Sequence, residues 1–169
     1  PMMAAKQSTT VDHASKGRFV LNVVSGWFTP EIELFGAEQL EHDERYTRTH
    51  EWMEFVKKLW TEQGFKFEGE HYQLTPNEEL EEKMRGPHFQ EGGYMRPKPF
   101  QTPHPPVMNA GTSDAGRDFA AKHADASFFA LGTLEGGKET VQDIKERAED
   151  YGRDPDDIEI MSYGLCCIG

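Results

Sequence analysis

The sequence alternates short apolar segments with amphipathic segments of helical period, and this alternation constrains the fold more than any other feature. The pattern predicts buried strands at residues 18–24, 107–110, 126–131 and 158–168. It predicts helices at residues 2–15, 41–63, 115–123 and 138–151. Because strands that alternate with helices form parallel sheets with right-handed crossovers, the sequence predicts an α/β fold with four parallel strands.

Two architectures satisfy this order, the doubly wound sheet and the (β/α)8 barrel. No G-x-G-x-x-G motif follows a predicted strand, which weakens the dinucleotide-binding form of the doubly wound sheet. In a barrel, functional residues lie at the carboxyl ends of the strands. Residues 22–31, 111–114 and 131–136 follow predicted strands and are the candidate site segments.

The segment after the second predicted strand has the pattern of an anion-binding turn. Gly111 permits a close backbone approach, and Ser113 or Asp114 can cap the following helix. Free amides at the positive end of a helix dipole suit a phosphate group. An ordinary strand–turn–helix connection without a ligand has the same local pattern, so this pattern alone leaves both interpretations open.

Four polar residues near other strand and helix ends are further candidates. Asn22 interrupts an apolar strand, where it either bonds neighbouring strands or faces a ligand. Glu31 lies in a short helical turn and is a solvated carboxylate or a site residue. Arg45 and Tyr46 lie in the first turns of the long helix, within reach of a site at the strand ends, although Arg45 also suits a surface ion pair.

Composition limits the partners and the compartment. The net charge of −12 argues against nucleic acid and anionic membranes, and no apolar run is long enough to span a membrane. The adjacent Cys166 and Cys167 argue against a structural disulfide and favour a reducing cytoplasm. No histidine spacing predicts a metal site.

Residues 75–106 are rich in proline and are expected to form an insertion or lid beside the site. The whole chain, residues 1–169, is expected to form a single domain.

Five motifs in one order resemble the bacterial luciferase-like flavin monooxygenases, nearest to the branch with alkanesulfonate, dimethylsulfone and pyrimidine monooxygenases. The resemblance covers nearly the whole chain, and five motifs in order are highly specific. The motifs are G-R-F-V-L-N-V-V-S-G-W at 17–27, L-E-H-D-E-R-Y at 40–46, F-x-F-E-G-x-x-Y at 65–72, R-P-K-P-F-Q at 96–101 and N-A-G-T-S-D-A-G-R-D-F-A-A at 109–121.

The resemblance implies a (β/α)8 barrel of the TIM type. The chain would then be an incomplete barrel, a fragment that covers roughly the fourth to seventh strands with an insertion. By matching position, Asn22 resembles the family's flavin-contacting asparagine and Glu31 the acidic residue of the same loop. Arg45 and Tyr46 resemble the pair near the flavin phosphate, and Ser113 resembles the serine whose turn holds that phosphate.

The function implied is a monooxygenase that uses reduced FMN and O2 to insert one oxygen atom into a small organic substrate. A separate NAD(P)H-dependent flavin reductase would supply the flavin, and a homo-oligomer is expected. A deazaflavin-dependent oxidoreductase of the same fold is one alternative, which oxygen uptake would distinguish. A non-catalytic fragment or assembly module is the other, because an open half-barrel exposes sheet edges that pair with other chains.

Overall fold

The computed structural model describes residues 1–75 and 92–163. Its helices are α1 Met2–Ser15, α2 Thr29–Leu34, α3 His42–Thr61, α4 Asp114–His123 and α5 Leu134–Asp150. Its strands are β1 Leu21–Val23, β2 Phe67–Glu68, β3 Gln73–Leu74, β4 Val107–Asn109, β5 Ala126–Ala130 and β6 Glu159–Tyr163. None of these helices is long and apolar enough to cross a membrane.

The chain forms two compact units. The helical unit comprises Pro1–Phe19 and Thr47–Pro105, and the sheet unit comprises Val20–Tyr46 and Pro106–Gly169. Of the predicted lid over 75–106, residues 92–105 belong to the helical unit, and residues 76–91 lie outside the described residues. Cys166 and Cys167 also lie outside the described residues.

The sheet unit contains four parallel strands in the order β1-β4-β5-β6. Val23 pairs in register with Asn109, and Asn109 pairs with Ser127 on β5. The segments from β4 to β5 and from β5 to β6 contain α4 and α5, the usual crossover connection between parallel strands. The predicted parallel α/β arrangement is therefore confirmed.

The two faces of this sheet differ in how far helices cover them. Ile160 on β6 packs against a buried cluster from α4, α5 and the start of the last strand segment, made of Ala121, Ile144, Ala148 and Ile158. Side chains alternate along a strand, so Asn22 and Tyr163 project from the opposite face. Tyr163 is 54% exposed. In a closed (β/α)8 barrel the face away from the helices lines the interior.

The largest differences from the sequence expectations among the described residues are at two element ends. The first strand covers Leu21–Val23 instead of residues 18–24. The helix expected from residue 138 begins at Leu134, so the loop prediction for residues 134–137 is wrong. Thr133 caps the earlier start, because its hydroxyl oxygen accepts a hydrogen bond of 3.1 Å from the Gly136 amide. The cap offsets part of the low helix propensity of Gly136 and Gly137.

The helical unit has a separate aromatic core. Phe55 on α3 makes edge contacts with Phe65 and Phe67, with ring centroids 5.8 and 4.8 Å apart. The Trp60 indole donates a hydrogen bond of 3.2 Å to the Ala5 carbonyl of α1. Residues 65–74, whose side chains alternate on both sides of Gly69, contain the antiparallel hairpin of β2 and β3.

The R-P-K-P-F-Q motif at 96–101 has a structural role within the helical unit. Lys98 donates hydrogen bonds to the carbonyls of Leu59 and Glu62 at the end of α3, at 2.8 and 2.5 Å. The Gln101 amide and side chain both donate to the fully buried Asp12 carboxylate of α1, at 2.9 and 2.8 Å. These bonds satisfy helix carbonyls and a buried charge that would otherwise be costly.

Candidate functional site

A cavity of about 310 Å³ opens in the sheet unit at the carboxyl ends of β1 and β4. This is the edge at which parallel α/β folds place their ligands. Three of the five sequence motifs contribute to its wall. The lining residues are Val24, Ser25, Gly26, Trp27, His42, Arg45, Tyr46, Asn109, Ala110, Gly111, Thr112 and Ser113.

The turn after β4 supplies one wall and ends at the first residue of a helix. Ser113 is the N-cap of α4, and its hydroxyl oxygen accepts a hydrogen bond of 3.2 Å from the Gly116 amide. The hydroxyl hydrogen of Ser113 remains able to donate to a ligand. The amides of Asp114 and Ala115 have no acceptor among the residues that the structure describes. The turn therefore presents several donors at the positive end of a helix dipole.

Tyr46 packs its hydroxyl against this turn. A Cβ built on Gly111 would lie 2.9 Å from the Tyr46 oxygen and 2.8 Å from the Gly116 Cα. A Cβ on Gly116 would also lie 2.9 Å from that oxygen. The two glycines thus allow the start of α4, the turn and the Tyr46 hydroxyl to meet at one point, which no larger side chain permits.

Arg45 provides a positive charge at the cavity. It is half-buried at the start of α3, and one of its guanidinium nitrogens donates a hydrogen bond to the Gly26 carbonyl in the loop after β1. This bond holds the loop that forms the opposite wall of the cavity. The guanidinium group also offsets locally the negative charge of the chain, as an anionic ligand would require.

Two of the five predicted site residues do not line the cavity. Asn22 is exposed on β1, on the same face as the cavity residue Val24 two positions further along the chain. Glu31 is exposed in the first turn of α2. Their roles toward a flavin stay predictions, whereas Arg45, Tyr46 and Ser113 come together at the cavity.

His42, Trp27 and Asn109 line the cavity but were not among the predicted site residues. The His42 ring lies 5.0 Å from the Tyr46 ring, at the i, i+4 spacing that places both on one helix face. That spacing is visible in the sequence. Trp27 is 79% exposed beside the cavity, and Asn109 is buried below it.

The donor set fits a phosphate monoester. Amides at a helix start, two hydroxyl groups and a guanidinium group are the donors that proteins use for this anion. The cavity volume lies at the lower end of the roughly 300–1,000 Å³ typical of small-molecule sites. The space left by Gly111 and Gly116 is what allows a ligand or hydroxyl to approach the backbone closely.

Curated relatives share this sequence over most of its length. An FMNH2-dependent dimethylsulfone monooxygenase from Pseudomonas putida is 38% identical over 152 residues, which is 90% of this chain and 38% of the relative. A long-chain alkane monooxygenase from Geobacillus thermodenitrificans is 36% identical in an alignment of 178 positions, gaps included, that covers 99% of this chain and 39% of the relative. The chain spans about two fifths of the length of these curated relatives.

Solved structures give the same picture. The crystal structure of a long-chain alkane monooxygenase superposes with a TM-score of 0.73 at 33% identity, over 95% of this chain and 38% of that protein. The crystal structure of a riboflavin lyase with modified FMN and riboflavin has a TM-score of 0.76 at 26% identity, over 99% of this chain and 38% of that protein.

These neighbours have the (β/α)8 barrel fold, and this chain corresponds to part of such a barrel. The sequence profile of the luciferase-like monooxygenases matches residues 1–169. The predicted resemblance and the predicted partial barrel are confirmed: the chain belongs to the luciferase-like monooxygenase family.

Proposed function

We propose that the polypeptide containing this chain is a reduced-FMN-dependent monooxygenase, and that the cavity at β1 and β4 binds the flavin phosphate. The observation that carries the proposal is the convergence of Ser113, Tyr46 and Arg45 on one cavity. A dimethylsulfone monooxygenase named as FMNH2-dependent, 38% identical to this chain, supports the choice of cofactor.

In this proposal the cavity residues share the binding of the phosphate. The Ser113 hydroxyl and the amides of Asp114 and Ala115 donate hydrogen bonds to its oxygens. The Tyr46 hydroxyl donates from the other side, and the Arg45 guanidinium balances the charge. His42 and Trp27 add aromatic surface at the same opening. Asn22 and Glu31, on β1 and α2, would act further from the phosphate, toward the flavin ring.

Bound reduced FMN would supply the electrons for the reaction of O2 with an organic substrate. One oxygen atom would enter the substrate and the other would leave as water. The chain's own contribution is to hold the flavin by its phosphate and to keep water from the reacting atoms. A flavin reductase would supply the reduced cofactor, and a small organic molecule, from a range that includes organosulfur compounds, would be the substrate.

Tyr46→Phe tests the phosphate assignment in the full polypeptide in which residues 1–169 occur. We expect the dissociation constant for anaerobically reduced FMN to rise about tenfold, because one hydrogen bond to a charged group is lost. Tyr151→Phe is the matched control: it removes a tyrosine hydroxyl that contacts Asp118, at 2.9 Å, away from the cavity lining. This control should leave the FMN affinity within about twofold of wild type.

Oxygen uptake tests the reaction class separately. The proposal predicts oxygen consumption that depends on reduced FMN and increases when a substrate is added. Affinity for FMN unchanged by Tyr46→Phe would contradict the phosphate assignment. Binding of FMN without any substrate-dependent oxygen consumption would contradict the monooxygenase assignment and leave the binding site in place.

A further inference from the structure

Asn109 is a buried polar residue that neither the family match nor the predicted site assigns. It is the last residue of β4 and is 1% exposed. Its side-chain amide nitrogen donates a hydrogen bond of 2.9 Å to the Val23 carbonyl, and its side-chain oxygen accepts one of 2.8 Å from the Gly111 amide. A buried asparagine with both groups satisfied contributes to order as well as stability.

The two hydrogen bonds act on the two walls of the cavity. Val23 is the last residue of β1 and leads directly into the loop that Arg45 holds. Gly111 begins the turn that ends at Ser113. One side chain therefore connects the ends of β1 and β4, where these two walls start.

The bond to Gly111 also decides which amides face the cavity. The Asn109 side-chain oxygen accepts from the amide two residues further along the chain, and this local turn fixes the direction of the backbone. With the Gly111 amide directed to Asn109, the donors left for a ligand are those nearer Ser113 and the start of α4. A Cβ built on Gly111 would lie 3.0 Å from the Asn109 oxygen, so this side chain closely supports the turn.

We propose that Asn109 is a positioning residue that sets the geometry of the phosphate-binding turn, an inference that rests on the proposed function. It does not touch the phosphate in this account. It acts through Gly111 and Val23, whose positions determine the spacing of the donors. Its loss should therefore weaken binding of the phosphate group specifically, and should not weaken binding of the flavin ring.

Comparison of FMN with riboflavin, which lacks the phosphate, provides the readout. In the full polypeptide, Asn109→Ala should raise the dissociation constant for FMN about tenfold and change that for riboflavin by less than about twofold. Asn109→Ser retains an oxygen that can accept from the amide two residues on, so it should recover part of the FMN affinity, with a rise of about threefold.

Ser127→Ala is the matched control. Ser127 is equally buried, at 1% exposed, and pairs in register with Asn109, yet it does not line the cavity. It should leave the affinities for FMN and riboflavin unchanged. Thermal unfolding of each variant checks that the compared proteins are folded, and Asn109→Ser remains the test if Asn109→Ala fails to fold.

Three outcomes distinguish the possibilities. Selective loss of FMN affinity with partial recovery in Asn109→Ser supports the proposal. Equal loss for FMN and riboflavin, or unchanged FMN affinity in both variants, overturns the positioning role while the proposed function stands. A wild-type protein that binds riboflavin as tightly as FMN overturns the phosphate site itself, and this failure is visible before any variant is made.

Discussion

The turns that follow β4 and β5 have the same local design, but only the first one lines the cavity. Ser113 caps α4 by accepting from Gly116 at 3.2 Å, and Thr133 caps α5 by accepting from Gly136 at 3.1 Å. Each helix has an acidic residue in its first turn. Both turns therefore have a capping hydroxyl, a glycine and a helix dipole. These shared features cannot explain why the first turn lines the cavity and the second does not.

The difference lies in residues from outside the turns. Gly111 is packed between Gly116, the Tyr46 hydroxyl and the Asn109 side chain. A Cβ built on Gly132 in the second turn meets no atom within 4 Å among the described residues. β5 ends in Ala130, which offers no polar side chain to a turn. A common strand–turn–helix motif becomes a candidate anion site only where other elements enclose it.

Alanine substitutions of the two turn glycines, Gly111 and Gly132, should differ most in their effects on stability and FMN binding. Gly111→Ala places a methyl group 2.8 Å from the Gly116 backbone, so we expect a loss of about 1–3 kcal/mol in the free energy of unfolding. The displaced turn should weaken FMN binding about 100-fold. Gly132→Ala, in open space, should change stability by less than about 0.5 kcal/mol and leave FMN binding unchanged. Isothermal titration and chemical unfolding measure both; equal effects of the two variants would contradict the account.

Removal of the two caps should separate stability from binding. Ser113→Ala and Thr133→Ala each remove an N-cap hydroxyl, so each should lower the free energy of unfolding by about 1 kcal/mol. Only Ser113→Ala should weaken FMN binding, by about tenfold, because only that hydroxyl faces the cavity. A similar loss of affinity in Thr133→Ala would mean that the cap acts through stability alone.

The contact between α4 and α5 gives the smallest expected effect, and it depends on pH. Burial raises the pKa of the Asp143 carboxyl, but hydrogen bonds and charge from Arg117 and Arg147 outweigh it, so the pKa lies below the ordinary 3.8. Arg117 also donates to the Thr112 carbonyl at 2.8 Å, which links this ion pair to the first turn.

A lowered carboxyl pKa stabilises the folded state above the ordinary pKa, and the stabilisation is lost as the pH falls through the folded-state value. Asp143→Asn should therefore lower the free energy of unfolding at neutral pH by about 0.5–1 kcal/mol, a small value because the groups are partly exposed. The difference from wild type should shrink as the pH falls below 3.8. Denaturant titrations across this range measure it, and a difference independent of pH would exclude the ion pair as its cause.

Much of the fold could be predicted from the sequence, because the period of the apolar residues reports local structure directly. The parallel arrangement of the strands followed from such patterns, and so did a helix cap at Ser113 or Asp114, of which the structure has Ser113. The early start of α5 could not be predicted, since Gly136 and Gly137 oppose helix formation whereas the Thr133 cap favours it. Local sequence patterns do not predict a helix end well where residues that favour the helix and residues that oppose it contribute similar free energies.

The candidate site was predictable only in part, for a different reason. Ser113 has a local signature. Arg45 and Tyr46 were candidates only by their place in the first turns of the long helix, and the family resemblance associated them with the flavin phosphate. The position of Asn109 beneath the turn depends on the register of β1 against β4, which no single segment encodes.

A crystal structure of the full polypeptide with FMN would show directly where the flavin phosphate binds. We expect the phosphate to lie within hydrogen-bond distance of the Ser113 hydroxyl and the Asp114 and Ala115 amides, beside Tyr46. A phosphate bound elsewhere, for example at the Thr133 turn that follows β5, would contradict this expectation.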